Sequence, residues 1–182
     1  MLLAAAVRIF FFAAAVSRSD GAFERIFPRY DGYYEIAENL LHGTGFSRSI
    51  TEPAIPDSVR TPLYPLFIAG ILALFKSYYV VFFVQILIGS LIPFLAYRIA
   101  LQLRLSEKIA FLSALLLAIE PLTVFLATTL QAETLFTALF LFGISFFLHY
   151  IEEQRYTHFS GQQSSLVLRH WHGLPFSFCP HS

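Results

Sequence analysis

Residues 77–97 read SYYVVFFVQILIGSLIPFLAY and carry no charged side chain. Roughly 20 apolar residues in a helix cross the hydrocarbon core of a bilayer, so this stretch reads as a transmembrane span. Working outward, the pattern returns. Only Glu120 interrupts residues 109–132, and no charge falls from Thr134 to Ile151. Hydrophobic residues make up 57% of the chain and charged residues 13%, whereas a soluble domain carries about 25% charge. The expected fold class is an all-α integral membrane protein with about four transmembrane helices and juxtamembrane helices in a long first external loop.

Several function classes drop out. The formal net charge is zero, so there is no basic footprint for nucleic acid. The single Cys179 cannot form an internal disulfide. No phosphate-binding or dinucleotide-binding glycine pattern is present. No internal repeat appears, which argues against a transporter built from repeats.

The segments beside 77–97 set the topology. Leu2–Val16, broken by Arg8, reads as a short first transmembrane helix, with a signal peptide as the alternative. An arginine near a helix centre costs about 2.5–3.5 kcal/mol on insertion scales, so Arg8 either faces a protein interior or snorkels. Leu63–Phe75 is apolar but only 13 residues long, which suits an interfacial or re-entrant helix. If it does not span, Arg98, Arg104 and Lys108 fall in the connection between the second and third spans. With the N-terminus inside, those charges are then cytoplasmic, as the positive-inside rule favours. A spanning Leu63–Phe75 puts them outside.

The third span is Lys108–Thr129, with a kink expected at Glu120-Pro121. Glu120 has two readings, an embedded functional carboxylate or a protonated structural one. Gln131-Ala132-Glu133 makes a tight external turn, and Glu133–Ile151 is the fourth span. After Glu152 the composition changes. The tail 156–182 has no clear fold in sequence and suggests a truncated or frame-shifted reading frame. Its His170, His172, Cys179 and His181 match no zinc spacing.

The external loop, 17–77, is the chemical part. Ser17–Thr61 alone holds seven acids and five arginines. Asp31–His42 reads as a surface helix with Asp31 as N-cap and Gly43 as C′ residue. Tyr33, Ala37, Leu40 and Leu41 share its apolar face. Three motifs stand out. Residues 29–46 read RYDGYYEIAENLLHGTGF, 60–67 read RTPLYPLF, and 131–136 read QAETLF. On the favoured topology Asp31, Arg60 and Glu133 all lie externally. One carboxylate could take a proton or hold a metal, and an arginine could hold phosphate. The plainer readings stay open: Asp31 as a cap, Glu133 as a boundary charge, Arg60 as a partner of Asp57 or of lipid phosphate. Tyr33, Tyr34 and Tyr64 have a plainer reading as interfacial anchors.

These motifs, in this order, resemble the GT-C glycosyltransferases. They are nearest the bacterial family-39 enzymes related to protein O-mannosyltransferases and to the lipid A aminoarabinose transferase. Such enzymes carry an aspartate after the first span, then A-x-N-L-x-x-G-x-G, then P-x-Y-P, then an acidic residue opening a later helix. The resemblance covers residues 5–155, and makes 1–155 the N-terminal part of such a transmembrane module. It implies a polyprenyl-phosphate sugar as donor, with a lipid, glycan or protein acceptor and inversion at the anomeric carbon. Asp31 and Glu133 become the catalytic carboxylates, and Arg60, Tyr64 and Arg29 the substrate-binding residues. No metal ligand set is assigned. A divalent metal is the only cofactor the resemblance admits, and Val59 stands where some relatives carry a carboxylate beside the basic residue. The partners implied are the donor and membrane lipids, with no nucleic acid. The location implied is the bacterial inner membrane, multi-pass, with the active face periplasmic. The chain alone is expected to be an incomplete catalyst. The competing expectation is a non-catalytic membrane protein or an inactive remnant.

Overall fold

The computed structural model describes residues 1–19, 31–49 and 55–172, with side chains to Gln154. Among them every regular element is a helix: α1 (Leu2–Arg18), α2 (Tyr33–Leu41), α3 (Leu63–Phe75), α4 (Tyr78–Gln102), α5 (Glu107–Ile119), α6 (Pro121–Ala127) and α7 (Glu133–His172). The chain is an all-α membrane protein. α4 and the Glu133–Gln154 part of α7 are each long and apolar enough to cross a bilayer. α5 and α6, bent by 55° at their junction, are together long and apolar enough for a broken span or a re-entrant loop. α1, the expected first span, has 17 residues and lies along α4, α5 and α6.

α4 is the hub, touching α1, α3, α5, α6 and α7. Lipid tails are as apolar as leucine, so hydrophobicity does not drive these helices together. Close packing and interhelical hydrogen bonds do, the latter averaging about 0.6 kcal/mol each. Gly89 supplies the close packing. A Cβ there would stand 2.9 Å from Ala127 Cβ and 3.2 Å from Arg8 Nε. At the far end of α4, Gln102 Nε2 donates to Ser145 O (3.0 Å) and Ser145 Oγ donates to Gln102 Oε1 (3.1 Å).

The bend between α5 and α6 follows from Pro121. Without an N–H it cannot serve the Leu117 carbonyl. Glu120 then caps α6, accepting from Leu122 N (3.0 Å) and Thr123 N (2.6 Å), a contact worth about 1 kcal/mol. That diverts Leu122 N from Ala118 O. The two orphaned carbonyls find side chains instead: Thr123 Oγ1 donates to Leu117 O (3.2 Å) and Arg8 Nη1 to Ala118 O (3.3 Å). Glu120 thus has a structural role as the cap of α6. Arg8 is fully buried. It also donates to Ala4 O (3.1 Å), so it faces the interior and does not snorkel.

α3 does not span. Arg60, just before it, reaches Asp31. Tyr78, just after it, donates to Glu38 Oε1 (2.5 Å). Both contacts fall at or beside the nine-residue α2, so both flanks of α3 are tied to α2. Lys76 closes α3 in the left-handed conformation (φ 51°) and turns the chain into α4. Ala37, Tyr64, Ile68, Ala69, Leu72 and Val81 form the shared core of α2, α3 and α4. Leu41, expected on that buried face, is exposed.

The change in composition after Glu152 leaves no mark on the backbone, which stays helical to His172. Cys179 and His181 lie outside the described residues.

Candidate functional site

The loop around Asp31 is assembled from α2 outward. Gly32, not Asp31, precedes the helix as its cap, with φ 72°. This corrects the capping role expected of Asp31. A side chain at 32 would fail twice. The left-handed conformation disfavours it, and a Cβ would stand 2.1 Å from Arg48 Cδ. With the cap moved to Gly32, the Asp31 carboxylate is free to point elsewhere.

The stretch after α2 folds back on it. Gly43 and Gly45 take φ 75° and 93°, and Asn39 Nδ2 then donates to Ser47 O (2.6 Å) and Ser49 O (3.0 Å). Ser47 Oγ donates to Ile55 O (2.6 Å), and Asp57 N to Phe46 O (2.8 Å). The asparagine and glycines of the loop motif thus have a mechanical role: they bring residues 55–60 beside α2. Asp57 finishes the fold. Its Oδ1 accepts from Val59 N and Arg60 N, both at 2.9 Å, and its Oδ2 faces Arg48 Nε at 2.7 Å. The backbone N–H of Arg60, then that of Val59 and the charges of Arg48 and Arg60, hold the Asp57 carboxyl below its ordinary range.

Arg60 is oriented by this turn, but its side chain leaves Asp57. Nε donates to Asp31 O (2.7 Å), and Nη2 stands 3.8 Å from Asp31 Oδ1. The guanidinium also lies over the Tyr33 ring, 5.9 Å from its centroid. The expected side-chain pairing with Asp57 is thus replaced by one with Asp31.

The second wall is the turn between α6 and α7. Gln131 Nε2 donates to Asp31 Oδ2 (3.2 Å). Glu133 opens α7 and is exposed, its charge placed at the favourable end of the helix dipole. Burial raises the Tyr33 pKa above its ordinary value. The Glu133 and Asp31 charges raise it further, and Arg60 opposes them.

Asp31, Arg60 and the Gln131–Glu133 turn therefore meet at one end of the bundle. Arg104, in the connection after α4, lies at the other. Tyr64 sits differently from its expected place. It is 1% exposed, its ring meets Tyr33 edge-on at 5.0 Å, and its hydroxyl donates to Gln85 Oε1 (2.7 Å). It supports the site from beneath instead of facing a ligand. Arg29 lies outside the described residues.

Sequence reasoning missed Gln131 and Gln85. The first is an uncharged neighbour of Glu133 with no signal of its own. The second, a lone amide in a 21-residue uncharged stretch, was the available signal. Among the described residues no three His, Cys, Asp or Glu side chains converge as metal ligands. Asp57, the third carboxylate beside Asp31 and Glu133, has both oxygens committed. Among the described residues these carboxylates do not make a metal site.

A family profile described as dolichyl-phosphate-mannose-protein mannosyltransferase matches residues 59–168, more than half of the chain. The matched segment includes Arg60, Tyr64, Gln85, Gln131 and Glu133. Comparison with curated proteins and with solved structures gives no match.

Proposed function

This chain belongs to the dolichyl-phosphate-mannose-protein mannosyltransferase family, and from that premise we propose that its polar end takes part in transferring a sugar from a polyprenyl-phosphate donor. The observation that carries the reading is the position of Asp31, partly exposed between Arg60 and Gln131. A carboxylate held from both sides keeps its orientation, and its remaining lone pairs can accept a proton.

In this reading the acceptor hydroxyl oxygen attacks the anomeric carbon from the face opposite the phosphate. A carbon–oxygen bond forms as the bond to phosphate oxygen breaks, so the configuration inverts. Asp31 takes the hydroxyl proton. Polyprenyl phosphate leaves with the bonding pair, and Arg60 stands where it can hold that anion. Glu133 adds a second acid that orients acceptor or sugar hydroxyls. The acceptor class is a lipid, glycan or protein hydroxyl. The positive cluster Arg98, Arg104 and Lys108 supports a cytoplasmic location for the opposite end, by the positive-inside rule. The site then faces outward, toward the periplasm in a bacterial inner membrane.

The test is photo-crosslinking in membranes containing this chain, with a polyprenyl-phosphate mannose bearing a diazirine on the sugar. We expect adducts within residues 31–64 and 131–133, competed by unlabelled donor and lost in Arg60→Ala. Adducts confined to the lipid-facing side of α7, and unchanged by Arg60→Ala, would remove the reading.

A further inference from the structure

Gln85 lies within α4, buried at 1% exposure, and no part of the proposed chemistry uses it. An amide at that depth is costly unless satisfied, and a leucine would fill the space without that cost. Gln85 is satisfied three times. Its Oε1 accepts from Tyr64 Oη (2.7 Å), and its Nε2 donates to Leu126 O (3.0 Å) and Thr129 O (2.5 Å). Leu126 lies in the last turn of α6, where a helix has run out of its own donors, and Thr129 lies just beyond its end. Gln85 therefore caps α6 from another helix.

Both walls of the site trace back to this amide. On one side Tyr64 meets Tyr33, two residues after Asp31, and Arg60 lies over the same Tyr33 ring. On the other, Thr129 begins the turn in which Gln131 N donates to Thr129 O (2.9 Å) and Gln131 Nε2 reaches Asp31. We propose that Gln85 is a positioning residue: it joins Tyr64 to the end of α6 and so fixes where Gln131 and Glu133 stand relative to Asp31. Its relevance to chemistry rests on the proposed role of Asp31, whereas the geometry it sets does not.

The experiment reads that geometry directly. In a Cys179→Ser background, spin labels are placed at two exposed positions, Thr44→Cys beyond α2 and Glu133→Cys at the start of α7. Their distance distribution is measured by pulsed electron resonance in nanodiscs, without reference to activity. The parent should give a single narrow distribution. Gln85→Leu should lose it, becoming broad or displaced, while the protein stays helical and monodisperse. Gln85→His, which keeps one acceptor and one donor, should recover a narrow distribution. If Gln85→Leu does not fold, Tyr64→Phe carries the test. It severs only the link between the walls and should also broaden the distribution. A narrow, unshifted distribution in whichever of these two variants folds would overturn the proposal, as would leucine and histidine behaving alike. Loss of transfer in Asp31 variants is measured separately. The two ideas can therefore fail independently.

Discussion

The bundle around α4 and the layer of α2 and α3 are held together by opposite means. The bundle has apolar surface everywhere, so apolarity distinguishes nothing. Its organisation comes from the few residues that break the pattern: Arg8 at the bend, Gln85 under the turn, Gly89 at the closest approach, Glu120 as a cap. Half of α4's apolar stretch is buried inside the bundle, against 17% for α7. The outer face of α7 is lined by Phe136, Phe140, Phe146 and Phe147, all exposed. In the α2–α3 layer charges are plentiful. Order there comes from the small core around Tyr64 and from Asp57, which accepts two backbone N–H groups. In one region the polar residue is the informative exception, and in the other it is the background.

The largest expected effect is all-or-none. Cysteines at the exposed Thr44 and Ser58 should react with an impermeant thiol reagent in intact cells, and one at Ser106 should not. Labelling at Ser106 from outside would invert the bundle and separate the positive cluster from the cytoplasm. Next comes stability within the bundle. Gly89→Leu forces a side chain against Ala127 and Arg8 and should cost about 1–3 kcal/mol or more, read as a lowered melting temperature in detergent. Phe146→Leu, on the outer face of α7, should stay within about 0.5 kcal/mol. Equal losses at the two positions would erase the contrast between α4 and α7.

The smallest effect separates the layers by pH. The Asp57 carboxyl has a lowered pKa in the folded protein. Its contribution is therefore present above its unfolded value, about 3.9, and is lost as pH falls through the lower folded value. Acidification below about pH 4 should lower the protection of residues 55–60, measured against the unfolded chain's exchange rate at the same pH, before it touches α4. Asp57→Asn should show the lower protection already at neutral pH. Protection that falls in both regions together would mean that the layers do not come apart.

The sequence made the bundle legible because spans depend on length and charge placement alone. Residues 77–97, the proline at 121 and the short 63–75 segment could all be read from these. The site was legible only in part. Asp31, Arg60 and Glu133 could be named, because charges near spans are few once the loop motifs are set apart. Their partners could not. Gly32 takes the cap in place of Asp31 in a left-handed conformation, with Arg48, 16 positions on, packed across it. Tyr64 turns inward because Gln85, on another helix, offers an acceptor. Such choices depend on long-range contacts that no local pattern encodes. The helix through residues 156–172 was missed for a different reason. Extending an existing helix needs no new nucleus, so a polar stretch can follow α7 without an amphipathic signal of its own.

The most direct test concerns Asp31 itself, in a longer family member carrying the same three motifs, with transfer from a polyprenyl-phosphate sugar as the readout. Since Gly32 caps α2, the Asp31 carboxylate is not needed to start that helix. Asp31→Asn should lower transfer by about two orders of magnitude or more, the range that a general base contributes. Protein level and melting temperature should stay close to the parent. An Asp31→Asn enzyme that keeps most of its transfer rate would contradict the account and reduce Asp31 to a structural partner of Arg60 and Gln131.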